Sequence, residues 1–303
     1  MSELAQKLVA TVGQSLRGKG DAIELALVTL FAGGHLLIED HPGVGKTLLA
    51  RSLAKALDLP FQRVQCTADL LPSDITGAHV YHPGTGNLTF RPGPVFTSVL
   101  LADELNRTPP RTQSALLECM AERCVTIDRE THALPDPFFV IATQNPMTAA
   151  GTYPLPENQL DRFLLCIRLG YPDVENEIDV VAREDGHGLV DALRPVASRD
   201  DLLAARRDVQ AVRCDRELTA FMVELANRTR TSGHAAIGVS TRGAQALHRA
   251  CRARAFVQGR DYVVPDDVRV LLVPAWAHRL TTRTGGDADA LLHEILAMTP
   301  LPD

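Results

Sequence analysis

The sequence lacks the features that mark membrane and secreted proteins. A membrane-spanning helix needs ~20 consecutive apolar residues, and the longest apolar candidate, residues 22–32, is interrupted by Glu24. The N-terminus carries Glu3 and Lys7 and has no apolar segment ahead of a cleavage site. We therefore predict neither a signal peptide nor a transmembrane segment.

Metal-binding and disulfide patterns are also missing. The six cysteines contain no C-x-x-C pair, and no histidine lies at a zinc-ligand offset from the two nearest ones, Cys119 and Cys124. The ten histidines include no H-E-x-x-H motif. Because disulfides are rare in reducing compartments, this pattern favours reduced structural thiols and a cytoplasmic protein.

Neither charge nor aromatic content indicates a nucleic-acid partner. The formal net charge is -6, and aromatic residues make up only 5% of the chain. A run of arginines near the C-terminus lacks interleaved aromatic residues and is typical of a solvated helix face. It comprises Arg242, Arg249, Arg252, Arg254 and Arg260.

One stretch, residues 35–56, carries the strongest functional signal. An apolar run at 36–38 is followed by a loop with Gly43 and Gly45, and then by apolar residues at helical spacing. Strand, glycine-bearing loop and helix are the context that a phosphate-binding loop requires. Its backbone N–H groups would cradle phosphate oxygens at the helix N-terminus. Lys46 would reach the β- and γ-phosphates, and the Thr47 hydroxyl would bind Mg²⁺.

The loop departs from the usual pattern at its outer glycine. The motif G-x-x-x-x-G-K-[ST] requires glycine at position 40, where this chain has Asp40. Aspartate tolerates a left-handed backbone better than most residues, which would still let the loop form. The predicted nucleotide-binding residues are Asp40, His41, Pro42, Gly43, Val44, Gly45, Lys46, Thr47 and Leu48.

The surrounding pattern predicts an α/β domain followed by an all-helical one. Short apolar strands at 36–38, 61–65, 98–102, 138–142 and 163–169 alternate with helices, which indicates a parallel five-stranded sheet with helices on both faces. After residue 172 only helical periodicity remains. We place the domain boundary near 170, which gives domains 1–170 and 171–303.

Polar residues follow two of the predicted strands. Asp103 and Glu104 come directly after one strand, and Asn145 follows the next. Ligands of open parallel sheets bind beyond the carboxyl ends of the strands. Asp103 could therefore hold Mg²⁺, Glu104 could activate water, and a neutral amide could position that water. Alternatively, the two acids are a helix cap and a solvated side chain.

Five motifs, in this order, closely resemble AAA+ ATPases of the MoxR family. They are GVGKT, LLADELNRTPPRTQSALLE, FFVIATQNP, GTYPLPENQLDRF and GVSTRGAQALHRA. The resemblance covers residues 32–298 and implies a P-loop AAA+ domain followed by a helical lid domain. The hairpin-like segment 79–90 resembles the element that this branch inserts in its second helix.

The resemblance also implies roles for single residues. Lys46 and Thr47 match the Walker A lysine and threonine, and Asp103 and Glu104 match Walker B. The remaining matches are Asn145 to sensor 1, Arg162 to the arginine finger presented to a neighbouring subunit, and Arg242 to a sensor 2 arginine that reaches from the lid onto the bound phosphates.

As a member of this family, the chain would hydrolyse ATP with Mg²⁺ at the interfaces of a homo-oligomeric ring, which we expect to be a hexamer. The resemblance implies a chaperone-like role in remodelling, maturing or activating client proteins. Similar proteins often act with a von Willebrand A domain protein. This chain has no D-x-S-x-S motif, so that partner would be a separate polypeptide.

Two other functions remain open at the level of sequence. The first is a nucleotide-dependent protein-binding scaffold whose hydrolysis is vestigial, against which Glu104 and Arg162 argue. The second is a GTPase switch, because residues 74–77 and 185–188 each fit D-x-x-G, although no N-K-x-D follows.

Overall fold

The structure is a computed structural model that describes residues 1–84, 86–145, 151–182, 186–283 and 285–301. Two sequence features fall partly outside these residues. They are the motif FFVIATQNP, whose last residue is Pro146, and the second D-x-x-G tetrapeptide, whose first residue is Asp185.

The N-terminal part alternates helices and strands as the sequence predicts. The first elements are α1 (Glu3–Ser15), α2 (Gly20–Phe31), β1 (Leu36–Glu39), α3 (Lys46–Ala56), β2 (Phe61–Gln65), α4 (Pro72–Thr76), β3 (Gly77–His82) and β4 (Asn87–Pro92). They are followed by β5 (Val99–Asp103), α5 (Pro110–Glu122), β6 (Cys124–Ile127), β7 (Glu130–Ala133), β8 (Phe139–Gln144), α6 (Glu157–Leu160) and β9 (Leu165–Ile167).

The five predicted strands form one parallel sheet in the order β2-β5-β8-β1-β9. In the central register, Leu36 of β1 lies opposite Ile141 of β8 on one side and Leu165 of β9 on the other. The carboxyl ends of β1, β5 and β8 consequently meet at one edge of the sheet, and the residues that precede β9 lie at the opposite, amino edge.

Both faces of the sheet are covered, as the apolar strands predict. Successive side chains of a strand point to opposite faces. Leu36 and Ile38 accordingly pack into a core with α1, α2 and α3, whereas Leu37 packs into a second core with α5. The predicted segment 79–90 forms the antiparallel hairpin β3–β4, and β6–β7 is a second hairpin.

The C-terminal part is a helical lid. Its elements are α7 (Val174–Val181), α8 (Gly186–Ala192), α9 (Arg199–Ala211), α10 (Arg216–Thr231), β10 (Ala235–Ile237), α11 (Thr241–Val257), α12 (Pro265–Trp276), β11 (Thr281–Thr282) and α13 (Ala288–Met298). No helix in the described ranges is long and apolar enough to cross a membrane.

The expectation of helices alone in this part needs one correction. The lid also carries a two-stranded antiparallel sheet, β10–β11, and the additional short helix α8. Strands of three and two residues are too short to produce a recognisable period-2 pattern.

One apolar core runs from the α/β part into the lid. It joins Phe31 of α2 with Ala250 and Leu247 of α11, and the fully buried Trp276 lies in the same core. The Trp276 indole donates a hydrogen bond to the Gly243 carbonyl at 2.9 Å, which agrees with its predicted role in the lid core. The division at residue 170 stays a prediction.

Two members of the arginine run, Arg254 and Arg260, are not on the solvated helix face that the sequence suggested. Arg254 and Arg260 both donate to the fully buried carboxylate of Asp267, at 2.6 Å and 2.7 Å. This carboxylate also accepts from the Val264 N–H at 2.9 Å. The interpretation was wrong because the acidic partner lies in α12, where the local sequence of α11 does not reveal it.

We predict that this buried carboxylate is a large contributor to stability. Asp267→Asn removes the charge between two arginines, and breaking a buried pair costs ~3–5 kcal/mol. The adjacent Asp266, whose side chain is 64% exposed and lies 3.4 Å from Arg254, is the matched control. Asp266→Asn should cost at most ~1 kcal/mol. Urea denaturation measures both, and equal losses in the two variants would contradict the assignment.

Candidate functional site

The loop between β1 and α3 has the geometry of a phosphate cradle. Gly43 and Gly45 adopt φ values of 87° and 99°, a region that side chains rarely tolerate. A Cβ on Gly45 would also lie 2.7 Å from the Leu16 side chain. Gly45 is the N-cap of α3, so the free N–H groups of the first helical turn face the loop. Of the other predicted loop residues, His41 and Pro42 are exposed, Val44 is buried, and Thr47 and Leu48 are half-buried.

Lys46 lies buried within this loop. Its Nζ donates to the Asp40 carbonyl at 2.6 Å. Burial lowers the pKa of the Lys46 ammonium, and the nearby carboxylates of Asp103, Asp40 and Glu104 oppose that shift. The ammonium group therefore lies close to the acidic side chains of the site.

Asp40 fits the loop for a different reason from the predicted one. It is not among the residues with positive φ, so no left-handed backbone is required of it. Instead, its carboxylate accepts N–H groups of Leu169 at 2.7 Å and Gly170 at 2.6 Å, and of His41 at 2.8 Å. The side chain ties the loop to the end of β9.

Asp103 is held at the carboxyl end of β5 by two neighbours in the sheet. Thr143 of β8 donates its hydroxyl proton to Asp103 Oδ1 at 2.7 Å. Arg63 of β2 donates to Asp103 Oδ2 at 2.6 Å. Arg63 was not recognisable from the sequence, because only the pairing of β2 with β5 brings it to this carboxylate.

Glu104 is the next residue and has an unusual backbone. Its φ of 59° and ψ of 48° are left-handed, which is rare outside glycine and frequent at functional sites. The Glu104 N–H donates to the Thr143 hydroxyl at 2.8 Å. Arg107 and Gln65 donate to the Glu104 carboxylate at 2.9 Å and 3.3 Å, which orients it.

Two amide residues at the end of β8, Gln144 and Asn145, lie at the same edge. Gln144 donates to the Glu39 carboxylate, and the Asn145 carbonyl accepts from Asn106 at 3.2 Å. The strand ends thus bring together Lys46, Asp103, Glu104 and Asn145 in the part of the sheet where they were predicted to meet.

The two remaining predicted site residues, Arg162 and Arg242, lie together in a different place. They share a cavity of about 530 Å³ with Asp161 and Arg279. Arg162 donates to the Leu117 carbonyl at 2.5 Å. Arg242, 71% exposed, lies 3.8 Å from the Asp161 carboxylate.

Arg279, which the sequence analysis did not single out, fixes the turn that carries Arg162. It is buried, donates to the Asp161 carboxylate at 2.7 Å and to the Leu164 carbonyl at 3.1 Å, and also contacts the Phe163 carbonyl. An arginine with this many backbone acceptors acts as an internal brace.

The cavity that holds Arg162 and Arg242 lies at the amino edge of the sheet. The turn precedes β9, and the Leu164 N–H donates to the His35 carbonyl at 2.8 Å, just before β1. The four residues of β1 separate this edge from the phosphate loop by ~13 Å at ~3.3 Å per residue. Arg242 therefore lies beside Arg162 and away from the phosphate loop of its own chain, and its contact with the bound phosphates stays a prediction.

The first D-x-x-G tetrapeptide has a structural role. Asp74 lies in α4, and its carboxylate accepts the Leu71 N–H at 2.8 Å, which caps that helix. This capping function accounts for the aspartate without a guanine nucleotide.

The oxygen donors at the carboxyl edge fit a magnesium ion. Mg²⁺ in nucleotide sites is held by one or two protein oxygens together with phosphates and water. The half-buried Thr47 hydroxyl and the Asp103 carboxylate are such donors. Within the described residues, no cluster of three or more histidine, cysteine or acidic side chains forms a closed metal site.

Comparisons with known proteins agree with this geometry. The family model described as "ATPase family associated with various cellular activities (AAA)" matches residues 35–165, and the "AAA lid domain" model matches residues 227–295. The fold and the site define the chain as an AAA+ ATPase.

Individual relatives show which family of AAA+ ATPases the chain resembles. "Uncharacterized protein YeaC" of Bacillus subtilis is 44% identical over 99% of this chain and 95% of its own length. "Chaperone MoxR1" of Mycobacterium tuberculosis is 37% identical over 96% of this chain and 79% of its own length. A crystal structure of a Cytophaga hutchinsonii protein matches with a TM-score of 0.91 and 37% identity, covering 99% of this chain and 96% of that one. The chain belongs to the MoxR family of AAA+ ATPases, which bind nucleotide and hydrolyse ATP.

We predict that the Thr143 hydroxyl is a structural link between both acids of the site. Thr143→Val keeps the shape but leaves the Glu104 N–H and one Asp103 oxygen without this partner, which should cost ~1–3 kcal/mol. Thr143→Ser retains the hydroxyl and should restore most of the loss. Chemical denaturation of both variants measures the difference, and valine and serine variants of equal stability would contradict the role of the hydroxyl.

Proposed function

We propose that this ATPase works as a homo-oligomeric ring, a hexamer, in which each nucleotide lies between two copies. The observation that carries the proposal is the separation of the site into two edges of a parallel sheet. Lys46, Asp103 and Glu104 lie at the carboxyl edge, and Arg162 and Arg242 lie at the amino edge. A heterologous, head-to-tail contact would bring opposite edges of two copies together and close into a ring.

Within one copy, the carboxyl edge would supply binding and water activation. Lys46 and the N–H groups of the loop would bind the phosphates, and Thr47 and Asp103 would hold Mg²⁺. The metal ion would neutralise charge on the β- and γ-phosphate oxygens. Glu104 would accept a proton from the attacking water, and Asn145 would position that water.

The neighbouring copy would supply the cations. Arg162 and Arg242 would stabilise the charge that develops on the γ-phosphoryl group. An arginine supplied in trans raises turnover by about 10³–10⁵-fold, which corresponds to ~4–7 kcal/mol of activation free energy. The brace formed by Arg279 supports this role, because a rigid turn loses little entropy when it engages the phosphate.

We further propose that hydrolysis serves to remodel, mature or activate a partner protein in the cytoplasm. The Mycobacterium tuberculosis relative is named a chaperone, which supports this role. A von Willebrand A domain protein is the proposed partner class. The exposed cross-strand pair Tyr81 and Leu88 on the β3–β4 hairpin offers apolar contact to a client. Six free thiols support a reducing compartment.

A scaffold with vestigial hydrolysis is the second candidate. It would require that one part of the catalytic set be missing or misplaced. Two observations are evidence against it. Asp103 and Glu104 lie together at the carboxyl edge of the sheet, and Arg279 holds the turn that carries Arg162.

Mixed assemblies test the trans arrangement. Glu104→Gln should bind ATP without turning it over, and Arg162→Ala should also bind ATP and lose hydrolysis. In an equal mixture, roughly a quarter of head-to-tail interfaces would pair an intact acid edge with an intact Arg162. We therefore expect phosphate release to reappear on mixing, measured against each variant alone.

Two controls make this result specific. Arg216→Ala, an exposed arginine on α10, should leave hydrolysis unchanged. Lys46→Ala mixed with Glu104→Gln should give no recovery, because both changes damage the same edge. Failure of the Glu104→Gln and Arg162→Ala mixture to recover activity in assemblies shown to contain both chains would refute the trans site.

A further inference from the structure

A second cavity lies away from the carboxyl edge of the sheet and is lined by an unusual concentration of arginines. It measures about 500 Å³ and lies among the ends of α2 and α5 and the sides of α9 and α11. We call it the arginine pocket. Its charged lining residues are Arg123, Arg206, Arg207, Arg249, Arg252 and Asp136.

The charges in the arginine pocket are not balanced. Five guanidinium groups face one carboxylate, in a chain whose formal net charge is -6. Asp136 pairs with Arg206 at 3.4 Å. Across the described part of the chain, Arg123, Arg207, Arg249 and Arg252 have no carboxylate within ion-pair distance. Such a concentration of one sign in a concave surface creates a strong local attraction for anions.

Arg206 carries a buried donor that no protein group satisfies. Its Nε donates to the Leu30 carbonyl at 3.1 Å, and its Nη1 contacts Asp136. Its Nη2 is buried and has no hydrogen-bond partner. Burial, together with the neighbouring Arg123, lowers the pKa of Arg206 to about 10. An unpaired buried donor is costly, so an acceptor from a ligand would relieve it.

The surrounding contacts hold the arginines in place before any ligand binds. Arg252 donates through Nε to the Val212 carbonyl at 2.8 Å and also contacts the Gln210 carbonyl, both at the end of α9. Arg123 reaches the Gly33 carbonyl at 3.5 Å. Side chains fixed in this way lose little rotamer entropy on binding.

The arginine pocket is separate from the phosphate loop of the same chain. Gly33 precedes β1 and Asp136 precedes β8, so both lie at the amino edge of the sheet. Lys46 lies at the carboxyl edge. A ligand in the arginine pocket would therefore not compete for the loop.

We propose that the arginine pocket binds a small molecule that carries two or more phosphate groups. Guanidinium groups recognise phosphate oxygens through paired hydrogen bonds. Several arginines around one cavity therefore fit a ligand with several phosphate groups better than a ligand with one carboxylate group. Phe31, Leu203 and Val209 give the cavity an apolar wall as well, against which the remainder of the molecule packs. Arg249 also lines the cavity that holds Arg162 and Arg242, so a ligand here would lie next to the trans arginines.

The test uses tripolyphosphate as the probe and the full-length Lys46→Ala protein, in which the phosphate loop is impaired. Isothermal titration calorimetry at about 0.15 M ionic strength should show one binding site. Adding Arg206→Gln and Arg249→Gln should weaken that site by roughly tenfold for each lost arginine. If Arg206→Gln lowers the melting temperature of the protein, a variant with Arg207→Gln and Arg249→Gln takes its place. Both of these arginines are at exposed positions. This variant should also bind tripolyphosphate more weakly.

The matched control is Arg216→Gln with Arg269→Gln, which removes the same charge from exposed positions outside the pocket. It should leave the affinity unchanged. Absence of tripolyphosphate binding, or equal weakening in the pocket and control variants, would overturn the proposal. Binding of inorganic phosphate or of an oligoglutamate peptide as tight as that of tripolyphosphate would also overturn it, because the pocket would then not select multiple phosphates. The result is independent of ATP hydrolysis, so it stands or falls separately from the trans site.

Discussion

The polarity of the parallel sheet is the constraint on which the rest of the protein depends. All five strands run in one direction, so the groups that end strands and the groups that begin them are held apart by the strand length. Lys46 and Asp103 belong to the first set and Arg162 to the second. No rotation of these side chains within one chain joins the two sets, whereas the proposed assembly of chains would do so without changing the fold.

Buried polar contacts convert this general layout into a defined site. The Thr143 hydroxyl connects Asp103 with the backbone of Glu104, and therefore couples two strands and both acids. Asp40 connects the phosphate loop with the end of β9 through backbone N–H groups. Because each of these contacts spans neighbouring strands, the precision of the site follows from the pairing of the sheet rather than from the loops alone.

The sequence predicted the five strands, the phosphate loop and the acids at the strand ends, because these depend on local periodicity and spacing. It did not predict contacts that depend on strand order. The Arg63 contact to Asp103 needs β2 beside β5, and the burial of Asp267 between two arginines needs α11 beside α12. Asp40 was recognised as a departure from the motif, but its role as an acceptor for residues ~130 positions later is not visible in local sequence.

The central claim is that one chain alone holds an incomplete site for hydrolysis. The most direct measurement is the ATPase activity per subunit across a range of protein concentrations, with the assembly state followed in parallel by sedimentation. The account predicts that activity per subunit rises in step with the fraction of assembled chains, since each phosphate loop depends on Arg162 of a neighbour. Full activity per subunit under conditions where only monomers sediment would contradict it.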